Sequence, residues 1–360
     1  MFNSKCLEPL LLSLLFITVI TSGCQKNEPL WLATEGEYQF GTIMNAKYSD
    51  ANRGDKVVNT YIWYPAIVPE GAEPSRYNFD AEPDRTGAPY PVILMSAKVG
   101  GYFGPHLATH GFMVIGVDGQ DSKNSWGTWL LDYPLDQAFA LEEILKTPPN
   151  LLQGMFDGNL VGVTGYSFDG YDALALAGAR VDPEYYKSQC KQAQPGDPYP
   201  EQWWIDYICK MDGEWDNFVT HAGLTITESD DGLWQPITSP RIKAALPMAP
   251  EGAWLFGPDG LGAIQLPIMI IGATEDDINY YDLEAVTIYE NLGSESKQLV
   301  SFIGQGHMMI FDEDQVNMMK HLMTAFFGYH LQGKTEYGAL ISEEGINQQE
   351  GLVSGILIEN

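Results

Sequence analysis

The chain has 360 residues, with 48 acidic against 19 basic side chains and a formal net charge of −29. So negative a body repels phosphate backbones and anionic lipid surfaces, which argues against nucleic acid as a partner and suits a solubilising surface in salty surroundings. Hydrophobic residues make up 45% of the sequence and there is no low-complexity tract or repeat, so it belongs among globular proteins able to bury a core.

In chain order, the first feature is an address. Lys5 precedes an apolar run from Leu10 to Ile20, followed by Thr21, Ser22, Gly23 and Cys24. About a dozen apolar residues ending in small ones is the layout of an export signal and is too short to span a bilayer. Residues 1–23 are therefore expected to be a signal peptide. Thr21-Ser22-Gly23-Cys24 resembles the bacterial lipobox, which implies that Cys24 is lipidated and becomes residue one of an exported lipoprotein held at the membrane by its acyl chains. An ordinary cleaved signal is the alternative. Residues 24–40 are expected to serve as a tether. An exported chain meets an oxidising compartment, so Cys190 and Cys209 are expected to pair as a disulfide, contributing about 3 kcal/mol in the chain-entropy model. No Cys/His spacing suggests a metal site.

From residue 41 to 335 short apolar runs alternate with helical periodicity. Strands are expected at Val57–Tyr64, Pro91–Ser96, Phe112–Asp118, Leu160–Gly165, Ile242–Met248, Pro267–Gly272 and Gln298–Ile303. Leu135, Ala138, Leu141 and Leu145 recur at helical steps, as do Val316, Met319, Met323 and Phe327 in 312–331. Alternation of this kind implies an α/β fold, a mostly parallel sheet flanked by helices, and strands apolar throughout suit burial on both faces. Residues 181–239 break the pattern. They are dense in Trp, Tyr, Pro, Asp and Cys, and read as a cap-like insertion or an elaborate surface loop. Residues 336–360 form a C-terminal extension.

The segment Val161-Gly162-Val163-Thr164-Gly165-Tyr166-Ser167-Phe168-Asp169-Gly170 runs from a buried strand into a helix expected over Tyr171–Arg180. A serine at a sharp strand-to-helix turn holds its hydroxyl above the sheet edge, with the following N–H facing a developing oxyanion. This nucleophile elbow is normally G-x-S-x-G, and here Asp169 stands in place of the last glycine. A serine nucleophile requires a histidine base and an acid to orient it. Ala273-Thr274-Glu275-Asp276-Asp277 and Gly304-Gln305-Gly306-His307 each follow a buried strand, in the order serine, acid, histidine. Of six histidines, His307 alone has that placement.

The chain resembles the α/β-hydrolase group that includes platelet-activating-factor acetylhydrolases, dienelactone hydrolases and cutinase-like polyesterases. The similarity lies in Ile62-Trp63-Tyr64-Pro65-Ala66, Gly104-Pro105-His106-Leu107-Ala108-Thr109-His110-Gly111-Phe112, Gly272-Ala273-Thr274-Glu275-Asp276-Asp277-Ile278-Asn279 and Gly306-His307. It spans residues 57–332 outside the insertion. It implies the α/β-hydrolase fold, a triad of Ser167, Asp276 and His307, and no cofactor. Glu275 and Asp277, one residue to either side, remain rivals to Asp276. Where the group carries S-H-G-x-G-G, this chain has Ser96-Ala97-Lys98-Val99-Gly100-Gly101, which places the oxyanion donors at Val99 and Phe168.

These residues predict a carboxylic ester hydrolase acting on small or polymeric esters through an acyl-enzyme. Trp203, Trp204 and Trp215 either line its acyl pocket or form the insertion's own core. The rival expectation is a catalytically impaired lipoprotein of the same fold that binds a ligand or scaffolds a complex. Its premise is that Asp169 and the Ala97-Lys98 loop disturb the oxyanion hole.

Overall fold

A computed structural model describes residues 30–69, 77–118, 126–196 and 198–357, with side chains 126–127 left aside. The signal segment, Cys24 and residues 24–29 of the expected tether lie outside the described residues. The strands are β1 (Gln39–Asp50), β2 (Lys56–Ile67), β3 (Glu82–Pro83), β4 (Tyr90–Ser96), β5 (Met113–Asp118), β6 (Phe156–Tyr166), β7 (Ile242–Met248), β8 (Ile268–Ala273), β9 (Lys297–Phe302) and β10 (Leu352–Ser354). They form one sheet in the order β1-β2-β5-β4-β6-β7-β8-β9-β10, with β3 paired beside β2. The run β5-β4-β6-β7-β8-β9 is parallel. The pairs β1–β2, β2–β5 and β9–β10 are antiparallel. The fold is thus α/β with a mostly parallel sheet, and all seven expected strands are present with ends moved by a few residues.

Side-chain alternation along the central strands explains their unbroken apolar character. In β4, Val92 and Leu94 enter one hydrophobic cluster while Ile93 and Met95 enter another. Both faces are covered, so every residue of the strand is buried. Full burial of each such side chain is worth about 1.5–3 kcal/mol. One face carries α1 (Ala97–Thr109) and α10 (Glu313–Leu331). The other carries α2 (Trp126–Lys146), α3 (Phe168–Leu176) and α8 (Ala253–Gly262). In α10 the Asp312 carboxylate caps the first turn through Asp314 N–H and Gln315 N–H. Its Val316, Met319, Met323 and Phe327 are all buried, as their spacing predicts.

Residues 181–239 fold as α4 (Pro183–Gln192), α5 (Gln202–Ile208), α6 (Trp215–Ala222) and α7 (Leu224–Thr227). The Cys190–Cys209 disulfide is formed, with Cα atoms 5.4 Å apart. Trp215 stacks on Tyr186 at 5.0 Å, and Phe218 on Trp234 at 4.9 Å. Trp204 and Trp215 are therefore core residues of the insertion, whereas Trp203 is exposed, with its ring 6.1 Å from Tyr280.

Parts of both expected terminal segments pack against the body. Residues 31–38 are no free tether: Trp31 stacks on His321 at 4.6 Å and the Leu32 N–H donates to His321 Nδ1 at 3.0 Å. Within the C-terminal extension, β10 extends the sheet beside β9 and Ile346 of α11 (Glu343–Asn347) is buried. Among the described residues no helix is long and apolar enough to cross a membrane.

Candidate active site

Parallel strands end together, so the loops after β4, β6, β7, β8 and β9 collect at one edge of the sheet. Ser167 follows β6 directly, in a backbone conformation of φ 59° and ψ −124° that non-glycine residues seldom adopt. Its N–H is fixed to the Met248 carbonyl at the end of β7, 2.9 Å away. The turn is tight enough that a Cβ on Gly165 would lie 1.8 Å from the Asp169 carbonyl oxygen. A Cβ on Gly170 would lie 2.9 Å from Pro250 Cα. The close approaches thus fall at residues 165 and 170, and position 169 tolerates a side chain. The helix expected over Tyr171–Arg180 begins earlier, at Phe168, so the elbow is its first turn.

A serine at a helix N-cap ordinarily accepts from the second or third N–H of the helix. Ser167 makes no such bond. Its Oγ lies 2.8 Å from His307 Nε2 instead. His307 Nδ1 lies 2.8 Å from Asp276 Oδ2 and 3.1 Å from Oδ1. His307 and Asp276 are both buried, at 6% and 5% exposure, so solvent does not compete for these bonds. Glu275 and Asp277 are exposed. Of the three candidate acids, Asp276 alone meets the imidazole.

Each member is held from behind. Asp276 Oδ1 accepts the N–H groups of Ile278 at 2.9 Å and Asn279 at 2.7 Å. The Tyr166 hydroxyl donates to the His307 carbonyl at 2.6 Å. Sequence reasoning missed Tyr166 and Asn279, although both lie inside the motifs that carry the triad. The other histidines are engaged elsewhere: His106 with Thr324, His110 with the Thr34 carbonyl, His321 with Leu32 and His221 with Asp132. His330 packs against Phe326.

The two expected oxyanion donors differ. Phe168 is the first residue of α3, and among the described residues its N–H has no acceptor. Val99 is different: its N–H turns back to Ser96 Oγ at 3.3 Å, because the segment after β4 is the first turn of α1 with Ser96 as its cap. The Val99 N–H is thus engaged by Ser96 in this structure. A serine at a strand end directly before a helical run was the signal for it.

The same Ser96 hydroxyl donates to Asp169 Oδ2 at 2.6 Å. The Asp169 carboxylate therefore bridges from the elbow to α1 rather than pointing at the serine. Burial raises its pKa, against the Ser96 hydrogen bond and the Lys98 charge, which lower it.

A scan against protein-family models finds no match, and none is found among curated proteins.

Proposed function

We propose that this chain is a serine hydrolase of the α/β-hydrolase type, cleaving carboxylic esters through an acyl-enzyme. The observation that carries the proposal is the continuous relay Ser167–His307–Asp276, with 2.8 Å at each link. Its order along the chain and its strand-to-helix serine agree with that superfamily. The sheet order, with an antiparallel β2 outside the parallel run, is compatible with it.

In this reading Ser167 Oγ attacks the ester carbonyl while His307 Nε2 takes its proton. The tetrahedral intermediate collapses as His307 returns that proton to the leaving alcohol. Asp276, fixed by two backbone N–H groups, keeps Nδ1 protonated and stabilises the imidazolium. The Phe168 N–H and the N-terminus of α3 face the oxyanion. Water, activated by the same histidine, then releases the acid.

The Val99–Ser96 bond favours a second reading, a slow enzyme or a ligand-binding relic. Loss of one oxyanion donor costs about 3–4 kcal/mol of transition-state stabilisation. Hydrolysis of p-nitrophenyl esters by the mature protein, beside its Ser167→Ala variant, tests both readings. Turnover above the variant supports the hydrolase. Equal rates, together with a fluorophosphonate that labels neither protein, favour the relic. The N-terminal features support, as part of the same proposal, an exported and lipid-anchored protein.

A further inference from the structure

Glu251, in the loop after β7, is a carboxylic acid at 3% exposure that the triad does not use. Tyr207, on helix α5 of the insertion, points its hydroxyl at both carboxylate oxygens, 3.0 Å from Oε1 and 2.8 Å from Oε2. The loop is pinned on either side of Glu251. Ala249 adopts φ 40°, donates its N–H to the Ile271 carbonyl at 2.7 Å and accepts from Asn279 Nδ2 at 3.0 Å. The N–H groups of Gly252 and Ala253 both donate to Glu284 Oε2, at 2.8 and 2.9 Å. Asn279 is the same residue whose backbone N–H holds Asp276. One short web therefore fixes the acid of the triad and the turn that presents Glu251, and both Asp276 and His307 act on Glu251 through their charges.

We propose that Glu251 is a positioning residue for His307. When ionised it supplies a second negative charge that favours the imidazolium formed as Ser167 gives up its proton, and Tyr207 sets how readily it ionises. Its effect on turnover rests on the serine chemistry proposed above; its coupling to His307 does not.

The groups facing Glu251 make its charge responsive. Burial pushes its pKa up to about 7, with the Tyr207 hydrogen bond and the His307 charge pulling it down and Asp276 pushing it up. Tyr171, Tyr207, Asp172 and Glu284 are also raised by burial, toward their uncharged forms. Asp276 and His307 are left as the charge partners that matter to it. The insertion thereby reaches the catalytic histidine without touching substrate, through α5, which the Cys190–Cys209 disulfide ties to α4.

The test uses the mature chain with ¹³C-labelled histidine, as wild type, Glu251→Gln and Tyr207→Phe, with the His307 ring signal assigned against a His307→Gln control. Expected is an inflection near pH 7 in the difference between the wild-type and Glu251→Gln pH curves of that signal, moved to higher pH in Tyr207→Phe, which keeps the ring and loses only the hydroxyl. Superimposable pH curves in wild type and Glu251→Gln overturn the coupling, whether or not any ester is cleaved. A second readout is the rate of fluorophosphonate labelling of Ser167. It should fall about three- to tenfold in Glu251→Gln at pH 8 and be unchanged at pH 5.5, where Glu251 is protonated. Equal labelling at pH 8 overturns the role in turnover. No labelling at any pH, with the NMR inflection present, removes the hydrolase proposal and leaves the coupling standing.

Discussion

Replacing Asp276 with Asn is a sharp test of the site because the surrounding backbone dictates how the amide must sit. Ile278 and Asn279 both present N–H donors to Oδ1, at 2.9 and 2.7 Å. An asparagine can satisfy them only by keeping its carbonyl oxygen there, which turns its NH₂ toward His307 Nδ1. A donor facing Nδ1 forces the tautomer protonated on Nε2. That nitrogen, 2.8 Å from Ser167 Oγ, can then no longer accept the serine proton. The expected loss in kcat is about 10⁴-fold, or ~5.4 kcal/mol of transition-state stabilisation. Fold stability should change by under about 2 kcal/mol, since both backbone hydrogen bonds survive with a neutral acceptor in place of a charged one. The assay is p-nitrophenyl butyrate hydrolysis at pH 8, with urea unfolding of the same samples. Glu275→Gln and Asp277→Asn, both at exposed positions, serve as controls expected to keep wild-type rates. A loss smaller than tenfold in Asp276→Asn, or an equal loss in either control, would refute the assignment of the acid.

Other consequences can be measured separately. Ser96→Ala removes the donor to Asp169 Oδ2, and unfolding in urea should show about 1–3 kcal/mol less stability. Glu251 rises from 4.5 to about 7 on folding. The native state therefore holds this proton more tightly, and stability should fall by about 3 kcal/mol as pH climbs through that window. In Glu251→Gln that share of the slope should be lost, and an unchanged slope would mean another group carries it. Cys24→Ser should move the protein from the membrane fraction to the soluble one, and unchanged recovery would dismiss the lipid anchor.

What the sequence disclosed follows from how each element is buried. Strands covered on both faces must be apolar throughout, so all seven expected from sequence are found. β1 escaped because it is an edge strand of mixed polarity, interrupted by a register shift between Ile43 and Ala46 with Asn45 at φ 58°. β10 is only three residues long and takes its place by pairing with β9, which nothing local announces. The serine, acid and histidine were legible because each stands just past a strand end, where an α/β sheet gathers its chemistry. The Ser96 cap that engages the Val99 N–H was overlooked because the motif was followed across a segment whose own residues specify a capped helix. Glu251 was invisible for a simpler reason: an acid between proline and glycine reads as a solvated loop, and only tertiary packing buries it.

Buried acids in this molecule are compensated in two ways. Asp136, far along the chain from the triad residues, is buried at 1% exposure, and it meets Arg53 at 2.7 Å and Lys56 at 2.8 Å. Those two cations offset part of the desolvation, which still leaves it raised. Asp172, Glu251 and Glu284 are equally buried, yet the bonds they receive come from Gln137, from Tyr207 and from two backbone N–H groups. Neutral donors compensate a buried carboxylate less than a cation does, so all three are driven upward, and folding loses stability as pH rises through their titration. Glu251 lies in the loop that Asn279 pins beside Asp276, Glu284 holds that loop through Gly252 and Ala253, and Asp172 lies on α3, which follows Ser167. Of the three, Glu251, pushed up to about 7, is the one that carries negative charge near neutral pH, and in the proposed reading that charge acts on the His307 imidazolium with little screening.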